Sequence, residues 1–419
     1  MRLRPTGNQP ASILARCLWL TRCLWLTRCL GVDRSRLIAA TLLVTAFATI
    51  ARADEPQVSL KTPDRFERFA PVEPERAEST FRVQAGFRME LIAAEPLVTD
   101  PVAMTIDESG RAFVVEMNDY PYTDATRHRP WQENPTDSPI GRVRMLVDSD
   151  RDGVYDRGTI FASDLSWPSG ILCHRGGVIV TATPDIWFLK DTDGDGVADQ
   201  RQRLFTGFRK YNVQAVMNNP IWGLDNQIYV AGSSNGGSVN RPGEAAVKPI
   251  VARGDYRIDP VTSRIEPQAG GARFGNTFDN FGNRFLCNIR NPAIHVVVDS
   301  RYSARNPFYA APALSIDIAA AGDQLPIYRI SPIEPWRELR GRQWSADPTK
   351  KLPRSELTGG GVFTSTSGIT VYRGDAYPDT YPDTYTGQLF LGEVANNVVY
   401  RQTLVPRGNT FASTPHPFH

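Results

Sequence analysis

Two stretches with the pattern DxDxDGxxD hold the densest chemistry in the sequence. The first carries Asp148, Asp150, Asp152 and Asp156 around Gly153, the second Asp191, Asp193, Asp195 and Asp199 around Gly196. Carboxylates at positions 1, 3, 5 and 9 of a tight loop, with a glycine at position 6, can surround a hard cation such as calcium with oxygen ligands. Neither loop is a complete EF-hand, because position 12 is Thr159 in one and Gln202 in the other, and strand-like runs flank both. Two readings stand: calcium-clipped β-hairpins, or plain Asp-Gly turns with no metal. Three alternating carboxylates repel one another without a cation, and Gly194 makes the second loop the better site, since the first has Arg151 there. Even with calcium bound, the role is structural, as neither loop holds an acid or base partner.

A second group of polar residues sits where apolar runs begin or end. Glu116, Asn118 and Asp119 follow the run Ala112 to Val115; Asn212, Gln214 and Asn218 precede Ile221 and Trp222; Arg284, Asn288, Arg290 and Asn291 surround Phe285 and Leu286. A carboxylate that ends an apolar strand needs a partner, so Glu116 and Asp119 read either as a hydrogen-bonded turn or as a functional pair. Histidine offers little. His295 lies in an apolar run and reads as core, His174 adjoins Cys173, and His128 is the third one between residues 80 and 410.

Paired short runs must position these groups. Residues 101–106 with 111–116, 169–172 with 177–181, 221–224 with 227–230, 276–278 with 283–286 and 368–371 with 387–391 each read as a strand, a turn carrying Asp, Asn or Gly, and a second strand. Their starts near 102, 169, 221, 276 and 368 leave gaps of 67, 52, 55 and 92 residues; set against the propeller blade of four strands every 40 to 50 residues or so, they predict blades, with the long last gap accommodating an insertion. The fold class expected is therefore all-β, a six-bladed β-propeller type with about five blades visible over residues 80–419 and an insertion around 301–361. The strand-like run Val398 to Thr403 is followed closely by the end of the sequence at His419, which predicts a C-terminally truncated propeller.

Residues 1–53 differ from the rest: eight arginines and one acid, then apolar residues from Leu37 to Ile50 and Ala51-Arg52-Ala53. This is the pattern of a secretory signal with an A-x-A cleavage site. The apolar run of about fourteen residues is short of the roughly 20 a membrane span requires, so cleavage is expected, with membrane association through an uncleaved leader as the alternative. Export to the periplasm or cell envelope follows either way. Losing the leader takes 47 basic and 45 acidic residues to 39 and 44, about −5, which leaves no nucleic-acid footprint. It also removes Cys17, Cys23 and Cys29, leaving Cys173 and Cys287 as either one disulfide or two buried thiols. Residues 54–79, rich in Pro and Glu, read as a linker.

Several stretches together resemble the membrane-bound dehydrogenase family, the propeller region of PVC-type haem-binding CxxCH proteins. They include Asp100-Pro101-Val102-Ala103-Met104, Val114 to Pro121, Trp222 to Asn226, Phe274 to Phe285, Glu334-Pro335-Trp336-Arg337 and Val371 to Asp375, spread over most of residues 80–410. The resemblance implies a propeller related to soluble glucose and sorbosone quinoprotein dehydrogenases, with pyrroloquinoline quinone as cofactor and a c-type cytochrome as electron acceptor. No CxxCH is present in this sequence, so haem c belongs to a part of the family absent here. On this reading Glu116 or Asp119 is the general base for oxidation of a sugar or alcohol. Asn212, Gln214, Trp222, Arg284 and Asn288 are the candidate cofactor-binding residues, Trp222 either as an aromatic wall or as core packing, and Arg284 either as a bidentate partner for a quinone carboxylate or as half of a structural salt bridge. The alternative is a non-catalytic propeller of the cell envelope that binds carbohydrate or a protein partner.

Overall fold

A computed structural model describes residues 70–120, 138–244, 254–319, 325–327, 333–346, 362–377, 379–380 and 383–415. The expected secretory leader, His128 and most of the expected insertion lie outside these residues, as do residues 54–69 of the expected linker. Residues 74–77 of that linker form one helical turn.

The described residues form an all-β, propeller-type fold of antiparallel sheets. The first sheet holds β1 (Pro101–Ile106), β2 (Ala112–Glu116), β3 (Gly141–Val147) and β4 (Arg157–Leu165) in sequence order. The second holds β5 (Pro168–His174), β6 (Gly177–Ala182), β7 (Asp185–Lys190) and β8 (Gln200–Phe208). The third starts with β9 (Asn218–Trp222) and β10 (Ile228–Ala231). The chain then crosses back, so that β11 (Gly237–Asn240) joins the outer edge of the second sheet, before β12 (Asp255–Asp259) and β13 (Arg264–Gln268) complete the third. The fourth is β14 (Asn276–Phe278), β15 (Arg284–Leu286), β16 (Ile294–Val296) and β17 (Ser315–Asp317). The fifth is β18 (Thr366–Val371), β21 (Leu389–Glu393), β22 (Val398–Arg407) and β23 (Thr410–Pro415) in that order, and the small hairpin β19 (Asp379–Thr380) and β20 (Asp383–Thr384) interrupts its first connection. The five hairpins read from the sequence are the innermost strand pairs of the five sheets. The expected insertion is corrected at its start: residues 315–317 are the outer strand of the fourth sheet, and further on a helix spans Pro335–Ala346.

Stacking of sheets explains why some strands are apolar without interruption. Every residue of β6 is buried, because its alternate side chains serve two cores. Val178, Val180 and Ala182 pack with Phe113, Val115 and Met145 of the first sheet, whereas Ile179 packs with Ile228, Val230 and Tyr256 of the third. A smaller core of Ala231, Ala272 and Leu286 joins the third sheet to the fourth, and Phe285, Ile369, Leu389 and Leu391 join the fourth to the fifth. The inner strands follow one another, β1 against β5, β5 against β9, β9 against β14 and β14 against β18. All five begin on one side of the molecule, the top face, and end at the bottom face, so the loops leaving β2, β8 and β15 share the top with the residues leading into the inner strands.

Candidate functional site

At the top face, buried carboxylates fasten the chain where it turns into an inner strand. Glu116 accepts the Thr99 backbone N–H at 2.8 Å ahead of β1, and Asp119 accepts the Trp167 N–H at 2.6 Å ahead of β5. Asp255 accepts the Ala272 N–H at 3.1 Å near the start of β14, and Glu393 accepts the Ser365 N–H at 2.9 Å ahead of β18. Each carboxylate satisfies a donor that would otherwise be stranded at the end of a ladder.

The two candidate bases then differ. Glu116 is fully enclosed, its Oε1 bound by Arg144 Nε at 2.9 Å and its Oε2 by the Arg142 guanidinium. Two cations and a backbone N–H occupy both of its oxygens, so it has no lone pair directed at a ligand, contrary to the role expected for it as a base. Asp119 is equally buried, yet its Oδ1 has no hydrogen-bond partner. Burial raises its pKa, against the opposing pull of the Trp167 N–H and the Lys210 charge.

Asp119 lies in a small cluster in which Met117, Trp167, Val213 and Val216 pack together with Tyr120 against them. Trp167 is held with φ at 43°, in the left-handed region that a bulky residue avoids. The Lys210 ammonium sits 4.5 Å from the centre of its ring. Gln214 Nε2 donates to the Tyr120 hydroxyl at 3.3 Å, Asn212 Oδ1 accepts the Gln214 N–H at 2.8 Å, and Arg273 Nε donates to the Gln214 carbonyl at 3.0 Å. The structure thus brings Asp119, Asn212 and Gln214 to one place. Trp167 and Lys210 are not among the residues that the sequence alone singles out. Trp167, placed directly before the Pro168 that opens an inner strand, was the available signal.

The other expected cofactor residues do not join them. Asn288 is at the top face, but its Oδ1 accepts the Ile289 N–H at 2.9 Å within its own turn. Trp222 ends β9 at the bottom face, where its Nε1 donates to the Cys173 carbonyl at 3.3 Å. Arg284 is buried, ion-paired to the enclosed Asp255, donates to the Ala269 carbonyl at 3.1 Å and lies 5.4 Å from the centre of the Tyr229 ring. Its guanidinium is consumed within the fold. The residues named for a quinone therefore do not form one binding set.

Both acidic loops are at the bottom face, in the turns between β3 and β4 and between β7 and β8. One oxygen each from Asp148, Asp150 and Asp152, and likewise from Asp191, Asp193 and Asp195, lie within 4.8 Å of one another. Asp156 and Asp199 depart from the expected ligand role. Asp156 accepts the Ser149 N–H at 2.9 Å and Asp199 the Thr192 N–H at 2.8 Å, each also accepting that residue's hydroxyl. These hydroxyl bonds hold both carboxyls below the usual range. Cys173 and Cys287 are separate thiols. His295 is in the core as expected, stacked on Phe285 with ring centres 5.2 Å apart.

Among curated proteins none matches the sequence. Solved structures similar to the chain include the quinone-bound form of an aldose sugar dehydrogenase from Streptomyces coelicolor, at 12% identity and a TM-score of 0.41 over 78% of this chain and 83% of that one. The quinone domain of pyranose dehydrogenase from Coprinopsis cinerea shares 13% identity, with a TM-score of 0.39 over 80% of this chain and 82% of that one. An auxiliary nutrient binding protein from Bacteroides thetaiotaomicron shares 13% identity and a TM-score of 0.40; the match covers 75% of this chain and 56% of that protein. These likenesses assign no activity. Residues 73–417 match the model of a domain of unknown function, DUF7133, and the chain belongs to that family.

Proposed function

We propose that the protein is an exported propeller that binds a hydroxylated small molecule of the sugar or alcohol class at its top face, with Asp119 accepting a hydrogen bond from a ligand hydroxyl. The observation that carries this reading is the unpartnered, buried Oδ1 of Asp119 beside a conformationally strained Trp167. An unsatisfied buried acceptor costs about 1–3 kcal/mol, and a ligand hydroxyl removes that cost. Tyr120, partly exposed against the buried Trp167, supplies ring surface, and Gln214 and Lys210 supply polar groups. The basic and apolar residues 1–53 support a place in the periplasm or cell envelope.

A second reading is oxidation of the bound alcohol by a quinone, with electrons passed to a separate c-type cytochrome. It is favoured by the raised pKa of Asp119, which brings that carboxylate nearer to the range of a base working at neutral pH. The family resemblance also supports it, whereas the scattered positions of Trp222 and Arg284 count against it.

Calorimetric titration of wild type and Asp119→Asn with a panel of aldoses and polyols tests the first reading. Asparagine still accepts the Trp167 N–H, so the fold is retained. At least one ligand is expected to bind wild type and to bind the variant more than about tenfold more weakly, a loss of 1.4 kcal/mol or more. No binding across the panel sinks the proposal. Dye reduction after reconstitution with pyrroloquinoline quinone and calcium, abolished in Asp119→Asn, would put the dehydrogenase reading first.

A further inference from the structure

The bottom face carries a separate cavity of about 260 Å³, lined by Asp107, Glu108, Arg111, Cys173, His174, Arg175 and Trp222 among others. We propose that it is a binding site for a single neutral pyranose ring, as a free monosaccharide or the end of a glycan. Ligand pockets for drug-sized molecules run from roughly 300 Å³ upward, so this cavity suits one ring. Its wall is aromatic on one side: Trp222 is 37% exposed and His174 lies beside it with ring centres 5.5 Å apart. The indole is fixed by its bond to the Cys173 carbonyl, so it presents a preset flat surface, and the apolar face of a sugar ring packs on such a surface.

The rim of the cavity offers both senses of hydrogen bond. Arg175 carries donors and Glu108 acceptors, and hydroxyl groups need both; Arg111 and Asp107 are paired with each other at 2.7 Å and hold the wall of the cavity. Two cations against two carboxylates leave no net charge to select an ionic ligand. Arg175 provides a second, independent observation. It occupies the tight turn between β5 and β6 with φ at 50°, followed by Gly176 at 71°. Such a turn favours Asn-Gly, and a long side chain in the left-handed region is strained. Among the described residues Arg175 forms no ion pair that would repay the strain, and its side chain lines the cavity. A ligand supplies the missing contact. His174 is kept neutral by burial, with its pKa lowered, so it contributes ring surface rather than charge.

Cys173 lines the same cavity and is partly exposed, whereas Cys287 is enclosed. This permits a footprint. The full-length protein is treated with iodoacetamide at pH 8.5, with and without glucose, galactose, mannose or glucuronate, and alkylation is read peptide by peptide. At least one neutral sugar is expected to slow labelling of Cys173 several-fold, without effect on Cys287. Trp222→Ala should abolish that protection and Arg175→Ala should weaken it about tenfold in sugar concentration. Arg175→Ala replaces a side chain on a surface turn and serves as the variant that folds if Trp222→Ala does not. Asp119→Asn, at the opposite face, should leave protection unchanged, which separates this site from the one at the top. Absence of protection by every neutral sugar, protection by glucuronate alone, or loss of protection in Asp119→Asn would overturn the proposal.

Discussion

Carboxylates at the top face do one job in common, holding the backbone ahead of an inner strand, and what remains of each carboxylate afterwards decides whether it can do another. Glu116 has nothing left, since Arg142 and Arg144 close it. Glu116→Ala would leave two cations and the Thr99 N–H unpaired, and loss of one partner from a buried pair costs about 3–5 kcal/mol. We expect the lower end, because Arg142 is 25% exposed; chemical denaturation with the Met variant alongside measures it. Asp119 retains one oxygen. Its folded pKa is raised, so the folded protein holds the proton more tightly than the unfolded chain. Stability is then lost as pH rises from the unfolded value, about 3.9, through the folded one. Asp119→Asn removes that titration. The variant's stability relative to wild type should therefore increase between pH 4 and pH 8, read as a shift in denaturation midpoint. An unchanged difference would mean that burial does not raise the pKa of Asp119. The position of both acids at strand ends was legible in the sequence; which one keeps a free oxygen was not, because the closing arginines come from β3, some 26 and 28 residues away.

Hairpins were the most legible elements. Two short apolar runs around an Asp, Asn or Gly turn are a local signal, and all five inner pairs carry it. Short outer strands such as β16 and β17, of three residues each, lack it, as does β11, which leaves its own neighbours to extend the second sheet. That pairing depends on contacts distant in sequence. The acidic loops are hairpin turns too, and they carry a prediction at this scale. Three converging carboxylates in each loop fit calcium, and the ion would tie β3 to β4 and β7 to β8. Calcium at about a hundredfold excess over its dissociation constant should raise the unfolding midpoint by roughly 5 °C. Asp193→Ala with Asp195→Ala should remove the part due to the second loop. Asp199→Asn should lower stability with or without calcium, since Asp199 binds Thr192 and does not join the cluster. A midpoint indifferent to chelation would leave the loops as plain turns.

Across the whole propeller, each inner strand needs a neighbour on both sides, and β1 has only β5 along its length among the described residues. Its other face shows Val102, Met104 and Ile106, each about half exposed at 50%, 49% and 53%. The segment ahead of β1 partly compensates. Ala93, Leu97 and Val98 pack on Ala112, Val114 and Leu146 of the first sheet, and the Ile92 carbonyl accepts the Tyr155 N–H at 2.8 Å. A few residues earlier, Phe87 meets Tyr377 and Tyr385 of the fifth unit with ring centres 5.1 and 5.5 Å away, and Arg401 lies over Tyr385 at 3.8 Å. One stretch of chain therefore staples the last sheet to the first. The sequence placed the start of the fold near Phe81 but gave no sign of this bridge, because an aromatic residue in an aperiodic stretch does not declare its partner. Phe87→Ala should cost about 1–2 kcal/mol through lost ring packing, and the loss should be uneven. Hydrogen exchange is expected to quicken in β1 and β18 while β6, enclosed on both faces, stays protected up to global unfolding. Uniform acceleration through all five sheets would show that the staple is an ordinary surface contact and that closure of the ring rests elsewhere.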